Sequence, residues 1–193
     1  GFLPEHADAL RQRFTRNIVG GPGGPLGPTG APTARGVLSA LQIAAKHRLG
    51  RALASCSVAV QGLGAVGRPL AKALVELGAR VTVADNDKHR LGSFVDAVGL
   101  GAVEVVSTEK VLSCEVDIVS PNAVGGVLDE RAIAELRCAI VMGAANNQLC
   151  AVSKAEELAL ANQLHERGVL YQIDWMHNTA GVIAGCEEWE RQE

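Results

Sequence analysis

Residues 56–85 read CSVAVQGLGAVGRPLAKALVELGARVTVAD, and the reading of the whole chain works outward from them. Val58 to Val60 is an apolar β-type run. It enters a turn with glycine at 62, 64 and 67, continues into an amphipathic helix, and returns through a second β-type run, Val81 to Val83, that leads to Asp85. Strand, glycine turn, helix, strand and acid in this order point to a dinucleotide. Gly62 permits the tight turn, Gly64 removes a side chain where a pyrophosphate must approach the backbone, and Gly67 lets the helix pack close to the sheet. Ala65 and Val66 complete that cofactor-binding turn. The helix N-terminus then offers N–H groups and a positive dipole end to the phosphates. Asp85, roughly 20 residues after the glycines and followed by Asn86, is placed to accept hydrogen bonds from the adenosine ribose hydroxyls. Its charge repels a 2′-phosphate, so NAD is favoured over NADP. Lys88, His89 and Arg90 come next; they could reach a 2′-phosphate if Asp85 pointed away, and otherwise form the solvated first turn of another helix.

Composition sets the frame for that unit. The chain has 193 residues, 48% of them hydrophobic, enough for one domain with a real core. A formal charge of −3 supplies no sustained basic surface, so nucleic acid is not an expected partner. No apolar run approaches the ~20 residues that cross a bilayer, and neither a membrane span nor a leader is expected. The five cysteines are scattered without a C-x-x-C pair, which argues against a disulfide framework or a zinc site and suits a reducing cytoplasm.

Strand and helix patterns alternate along the remainder. A short helix is expected over Glu5 to Arg16, then a loop too rich in glycine and proline for regular structure, Ile18 to Pro32, either a tether or an ordered loop near a ligand. Residues 1–32 thus form an N-terminal segment and 33–193 a dinucleotide-binding domain. The domain opens with a helix from Thr33, its N-cap, to Gly50, its C-cap. After Asp85 the pattern predicts helices over Asp87–Val98, Asp129–Leu136 and Lys154–Arg167, with a short helical turn over Thr108–Ser113. Strands are expected over Ala102–Val106, Val116–Ser120, Cys138–Met142 and Val169–Ile173. That is an α/β doubly wound parallel sheet of about six strands with right-handed crossovers, a Rossmann-type fold.

Ligands bind outside the carboxyl ends of such strands. Besides the glycine turn, that rule selects the Pro121-Asn122-Ala123 corner, Gly143 to Gln148, and Asp174 to Gly181. The amides of Asn146, Asn147, Gln148 and Asn178 can both donate and accept, which suits a carboxamide and a small polar substrate.

Taken together, T-R-N-I-V-G at 15–20, T-A-R-G-V at 33–37, V-Q-G-L-G-A-V-G at 60–67, C-E-V-D-I-V-S-P-N-A at 114–123, G-A-A-N-N-Q-L at 143–149 and D-W-M-H-N-T-A-G-V-I at 174–183 resemble the cofactor domain of the glutamate/leucine/phenylalanine/valine dehydrogenases, nearest the leucine, valine and phenylalanine members. The resemblance implies oxidative deamination of a branched-chain or aromatic L-amino acid, with hydride passing to NAD and release of ammonia and the 2-oxo acid. It implies that Thr33 and Asn147 contact the nicotinamide end, Asp85 the adenosine ribose, Ala123 the adenine side and Asn178 the substrate carboxylate, and Ala144 and Asn178 are further cofactor-binding candidates.

The departures are equally specific. Family members carry two catalytic lysines and an aspartate in a substrate domain; here Gly1 aligns just after that aspartate, and Lys46, Lys72, Lys88, Lys110 and Lys154 lie on expected helices or their edges. The substrate domain is therefore expected to be absent, and the chain to be inactive without it. The alternative is a stand-alone dinucleotide module, a sensor or pseudoenzyme. The family's N-A-G-G is Asn178-Thr179-Ala180-Gly181, where Thr179 and Ala180 are expected to crowd a glycine site, and His177 is a candidate proton carrier. Expected partners are NAD, an amino acid if a substrate domain is supplied, and a second copy of the chain. Leu170, Trp175 or Val182 would be left in an exposed apolar patch.

Overall fold

The structure is a computed structural model that describes residues 4–15 and 17–191. Six strands form one wholly parallel sheet: β1 Ser57–Gln61, β2 Arg80–Ala84, β3 Val103–Val105, β4 Ile118–Pro121, β5 Ile140–Val141 and β6 Leu170–Tyr171. Their order is β3-β2-β1-β4-β5-β6, the doubly wound arrangement that the alternation predicts. The chain leaves the centre first to one side and then to the other, so the crevice opens between β1 and β4. Register fixes what reaches it: Gln61 pairs with Ala84 on one side and Pro121 on the other, which brings the three following turns to one edge.

The helices are α1 Pro4–Arg13, α2 Gly30–Leu49, α3 Gly67–Leu77, α4 Lys88–Val98, α5 Glu130–Glu135, α6 Lys154–Glu166 and α7 Ala180–Glu190. Strand alternation divides the core into two layers. Val58, Val60, Ile118 and Ile140 face Leu41, Leu70, Leu74 and Phe94 of α2, α3 and α4. Ala59, Val119 and Val141 face Ile133, Leu160 and Leu164 of α5 and α6. Burying each of these larger aliphatic side chains contributes about 1.5–3 kcal/mol.

Several boundaries differ from the sequence reading, the strands mostly by being shorter than expected. Helix α2 begins at Gly30, not Thr33, and Thr33 is not its cap: its Oγ1 donates back to the Thr29 carbonyl oxygen at 2.9 Å. Pro32 fits the first turn because no intrahelical acceptor is needed there. Gly50 does close the helix, with φ 68° and its N–H on the Lys46 carbonyl oxygen. Helix α1 stops at Arg13; Arg16 lies outside the described residues. Helix α7 was not expected at all. Thr108–Ser113 contributes a single 3-10 turn, Val111–Ser113.

The glycine-proline segment is an ordered loop. The Gly23 N–H donates to Asp8 Oδ2 (2.8 Å), Arg11 Nη2 to the Gly23 carbonyl oxygen (2.8 Å), and the Gly20 N–H to Glu188 Oε2 (3.2 Å). Both ends of the described chain therefore hold it.

Candidate functional site

The three fingerprint glycines have separable reasons to be glycine. Gly62 adopts φ 89°, a left-handed conformation, and a Cβ there would lie 2.9 Å from the Cβ of Ala123. At Gly67 a Cβ would stand 1.9 Å from the Gly62 carbonyl oxygen, so only glycine lets α3 start this close to the turn. Gly64 is different: a Cβ would meet nothing within 4 Å. Its bare α-carbon faces a cavity of about 510 Å³, which Gly62, Asp85, Asn86, Arg90 and Ala123 also line.

Asp85 stands at the end of β2 and reaches across to the glycine turn. Its Oδ2 accepts the Leu63 N–H (2.6 Å) and lies 3.3 Å from Arg90 Nη1, while Oδ1 accepts the Asp87 N–H (2.8 Å). Asp87 caps α4 by accepting the N–H groups of His89 and Arg90, and these bonds hold its carboxyl below the usual range. Arg68 secures the same corner from α3, donating to the carbonyl oxygens of Arg90 and Ser93 and standing over the Phe94 ring.

A second cavity, about 740 Å³, opens on the other side of the turn. Thr33, Val66, Ala144, Asn146 and Asn178 line it together with Val182, Cys186 and Trp189. Ala65 stands at the same junction, since a Cβ on Gly30 would come within 2.4 Å of its carbonyl oxygen. Two loops are tied together at the rim. Asn178 Nδ2 donates to Asn146 Oδ1 (2.7 Å) and to the Ala144 carbonyl oxygen (3.3 Å), and the Ala144 N–H donates to Asn122 Oδ1 (2.9 Å).

Of the sequence-expected residues, Gly62, Gly64, Asp85, Asn86 and Ala123 gather around the first cavity, and Thr33, Val66, Ala144 and Asn178 around the second. Asn147 joins neither. It is the non-glycine residue with positive φ (51°) among those described, and it lines a separate depression together with Lys154 and Asp174. Asn146 occupies the cavity position instead.

His177 is also displaced from the crevice. It is 5% exposed, and its ring N–H at Nε2 donates to the Gly143 carbonyl oxygen at 2.9 Å. Burial holds its pKa below the ordinary value, against the opposing effects of the Gly143 carbonyl and Asp174. It borders a third groove, of about 550 Å³, between α2 and α7. Thr179 has helical φ and ψ of −69° and −14°, and Ala180 packs against the bare α-carbon of Gly36. Trp175 and Val182 are 60% and 66% exposed, whereas Leu170 is half-buried.

The sequence reading missed Cys186 and Trp189, both supplied to the second cavity by α7. All five lysines are exposed, and none lines that cavity. Among the described residues no cluster of His, Cys, Asp and Glu could hold a metal, and no helix is long and apolar enough to cross a membrane.

Residues 23–91 match the family model of the glutamate/leucine/phenylalanine/valine dehydrogenases. Phenylalanine dehydrogenase of Lysinibacillus sphaericus is 35% identical over 169 residues, covering 86% of this chain and 42% of that protein. Leucine dehydrogenase of Thermoactinomyces intermedius is 35% identical over 192 residues, covering 97% of this chain and 50% of that one. The crystal structure of L-tryptophan dehydrogenase from Nostoc punctiforme superposes with a TM-score of 0.77 at 33% identity, over 84% of this chain and 47% of its own. This chain thus spans about half the length of the curated relatives it matches. It belongs to the glutamate/leucine/phenylalanine/valine dehydrogenase family.

Proposed function

We propose that this member of the family is the NAD-binding part, over residues 33–193, of an enzyme that oxidatively deaminates a branched-chain or aromatic L-amino acid. The observation that carries the reading is the placement of Gly64: a turn with no side chain and open space before it, at the start of α3, between two cavities at the switch point of the sheet. The residues fit a dinucleotide laid across that edge. Gly62, Gly64, Ala65, Val66 and Gly67 would hold the pyrophosphate against the N-terminus of α3. Asp85 and Asn86 would face the adenosine ribose, with Ala123 on the adenine side. Thr33, Ala144 and Asn178 would hold the nicotinamide end, with Asn146 taking the place expected of Asn147, and Asn178 would also reach the substrate carboxylate.

When bound, the nicotinamide supplies the hydride acceptor. The chain's own part is to fix the ring: the Asn178–Asn146 and Asn178–Ala144 bonds clamp two loops into one wall. Val182 and Trp189 add apolar surface to that wall. Deamination also requires a lysine whose pKa is lowered by desolvation. With every lysine exposed and outside the cavity, the chain alone lacks that group, and a separate substrate domain has to provide it. Binding of NADH to the purified chain, followed by its fluorescence, together with no turnover of leucine, valine or phenylalanine, is the expected result. Turnover by the chain alone contradicts the division of labour.

A further inference from the structure

We propose that the same site also takes the 2′-phosphorylated dinucleotide, and that Arg90 is the residue that decides this. The inference rests on the dinucleotide reading above and deepens it. Its basis is the state of Asp85, which the sequence casts as the group that excludes a 2′-phosphate. That carboxylate is 3% exposed and already engaged, by the Leu63 N–H and Arg90 on Oδ2 and by the Asp87 N–H on Oδ1. An ionised carboxylate offers about four acceptor positions, so little of it is left for two ribose hydroxyls. Its charge is moreover matched by the guanidinium at 3.3 Å.

Arg90 has the opposite character. Its side chain is 45% exposed, it borders the Asp85 cavity, and it reaches Asp87 Oδ2 at 3.2 Å. Asp87 itself is engaged by the N–H groups of His89 and Arg90 at the start of α4. Two of the five guanidinium donors are used by these ion pairs, three remain, and the pair to Asp87, exposed on both sides, restrains the arm weakly. The fork is therefore free to turn a bidentate face to a phosphate entering the cavity. Arg68 keeps the Arg90 backbone at that distance by donating to its carbonyl oxygen at 3.3 Å. NAD is accommodated through the remaining acceptor of Asp85, and NADP through Arg90.

Calorimetric titration of NAD and NADP into the wild type, Arg90→Ala and Arg90→Lys tests this without any turnover. The wild type is expected to bind both with dissociation constants within about tenfold of each other. Arg90→Ala should weaken NADP by about tenfold or more and change NAD by less than about threefold, with Arg90→Lys in between for NADP. NADP binding should also fall with added salt more steeply than NAD binding. Wild-type binding of NAD with NADP weaker by about a hundredfold overturns the proposal, as does an equal loss of both in Arg90→Ala, which marks Arg90 as a mere support of the turn. Binding of neither dinucleotide overturns the underlying reading as well.

Discussion

The backbone N–H of Leu63 donates to Asp85 Oδ2 at 2.6 Å, so the acid at the end of one strand holds the turn at the end of its neighbour. Asp85 is a structural tie before it is a ligand for anything. Asp85→Ala strips the acceptor from the N–H groups of Leu63 and Asp87. A loss of about 2–3 kcal/mol in urea unfolding is expected alongside weaker dinucleotide binding. Unchanged stability would show that the turn stands without it.

Gly67 is expected to be far less tolerant. An added methyl would sit 1.9 Å from the Gly62 carbonyl oxygen and 3.1 Å from the Asn122 Cβ, which leaves it nowhere to go. Gly67→Ala should cost about 3 kcal/mol or more, read as a lowered unfolding midpoint.

His177 gives a pH dependence with a definite sign. Burial depresses its folded pKa below 6.5, so the unfolded chain takes up the proton first. Its contribution to stability is fully present above the unfolded value of 6.5 and is lost as pH falls through the depressed folded value. In His177→Gln, stability at pH 7 should drop by about 1 kcal/mol, and the decline of the wild type below pH 6.5 should flatten. A parallel decline in both proteins would remove His177 as its source.

Glu188 is 1% exposed, accepts the Gly20 N–H and lies 3.8 Å from Arg11 Nη1. Glu188→Ala removes the acceptor of the Gly20 N–H and the counter-charge of Arg11, which keeps the Gly23 carbonyl oxygen. It should destabilise the protein by about 1–3 kcal/mol and speed hydrogen exchange over residues 20–24, with Glu188→Gln milder because an acceptor remains.

The sheet was legible because Val58–Val60 and Val81–Val83 frame a glycine spacing with one mechanical meaning, and because the strands and helices alternate. Helix α7 was not legible for a physical reason. Gly181 and Gly185 lower its helix propensity, and both are explained only by packing: a Cβ would come within 2.2 Å of Thr33 Oγ1 at one and 3.3 Å of Val19 at the other. The start of α2 was hidden similarly, since Gly30 and Pro32 read as loop while Gly30 meets the Ala65 carbonyl. Burial of His177 and the presence of Asn146 rather than Asn147 at the second cavity follow from how two loops meet. Neither leaves a trace in residue type or spacing.

Gly64 tests the central claim most directly, because it can be changed without touching the fold. A side chain there points into open space, so Gly64→Val should keep the unfolding midpoint of the wild type while blocking the approach of a pyrophosphate to the backbone. The decisive measurement is calorimetric titration of NAD into both proteins. The wild type is expected to bind, and the folded variant to bind at least about a hundredfold more weakly. Equal binding by both, or none by the wild type, would contradict a dinucleotide lying across this turn.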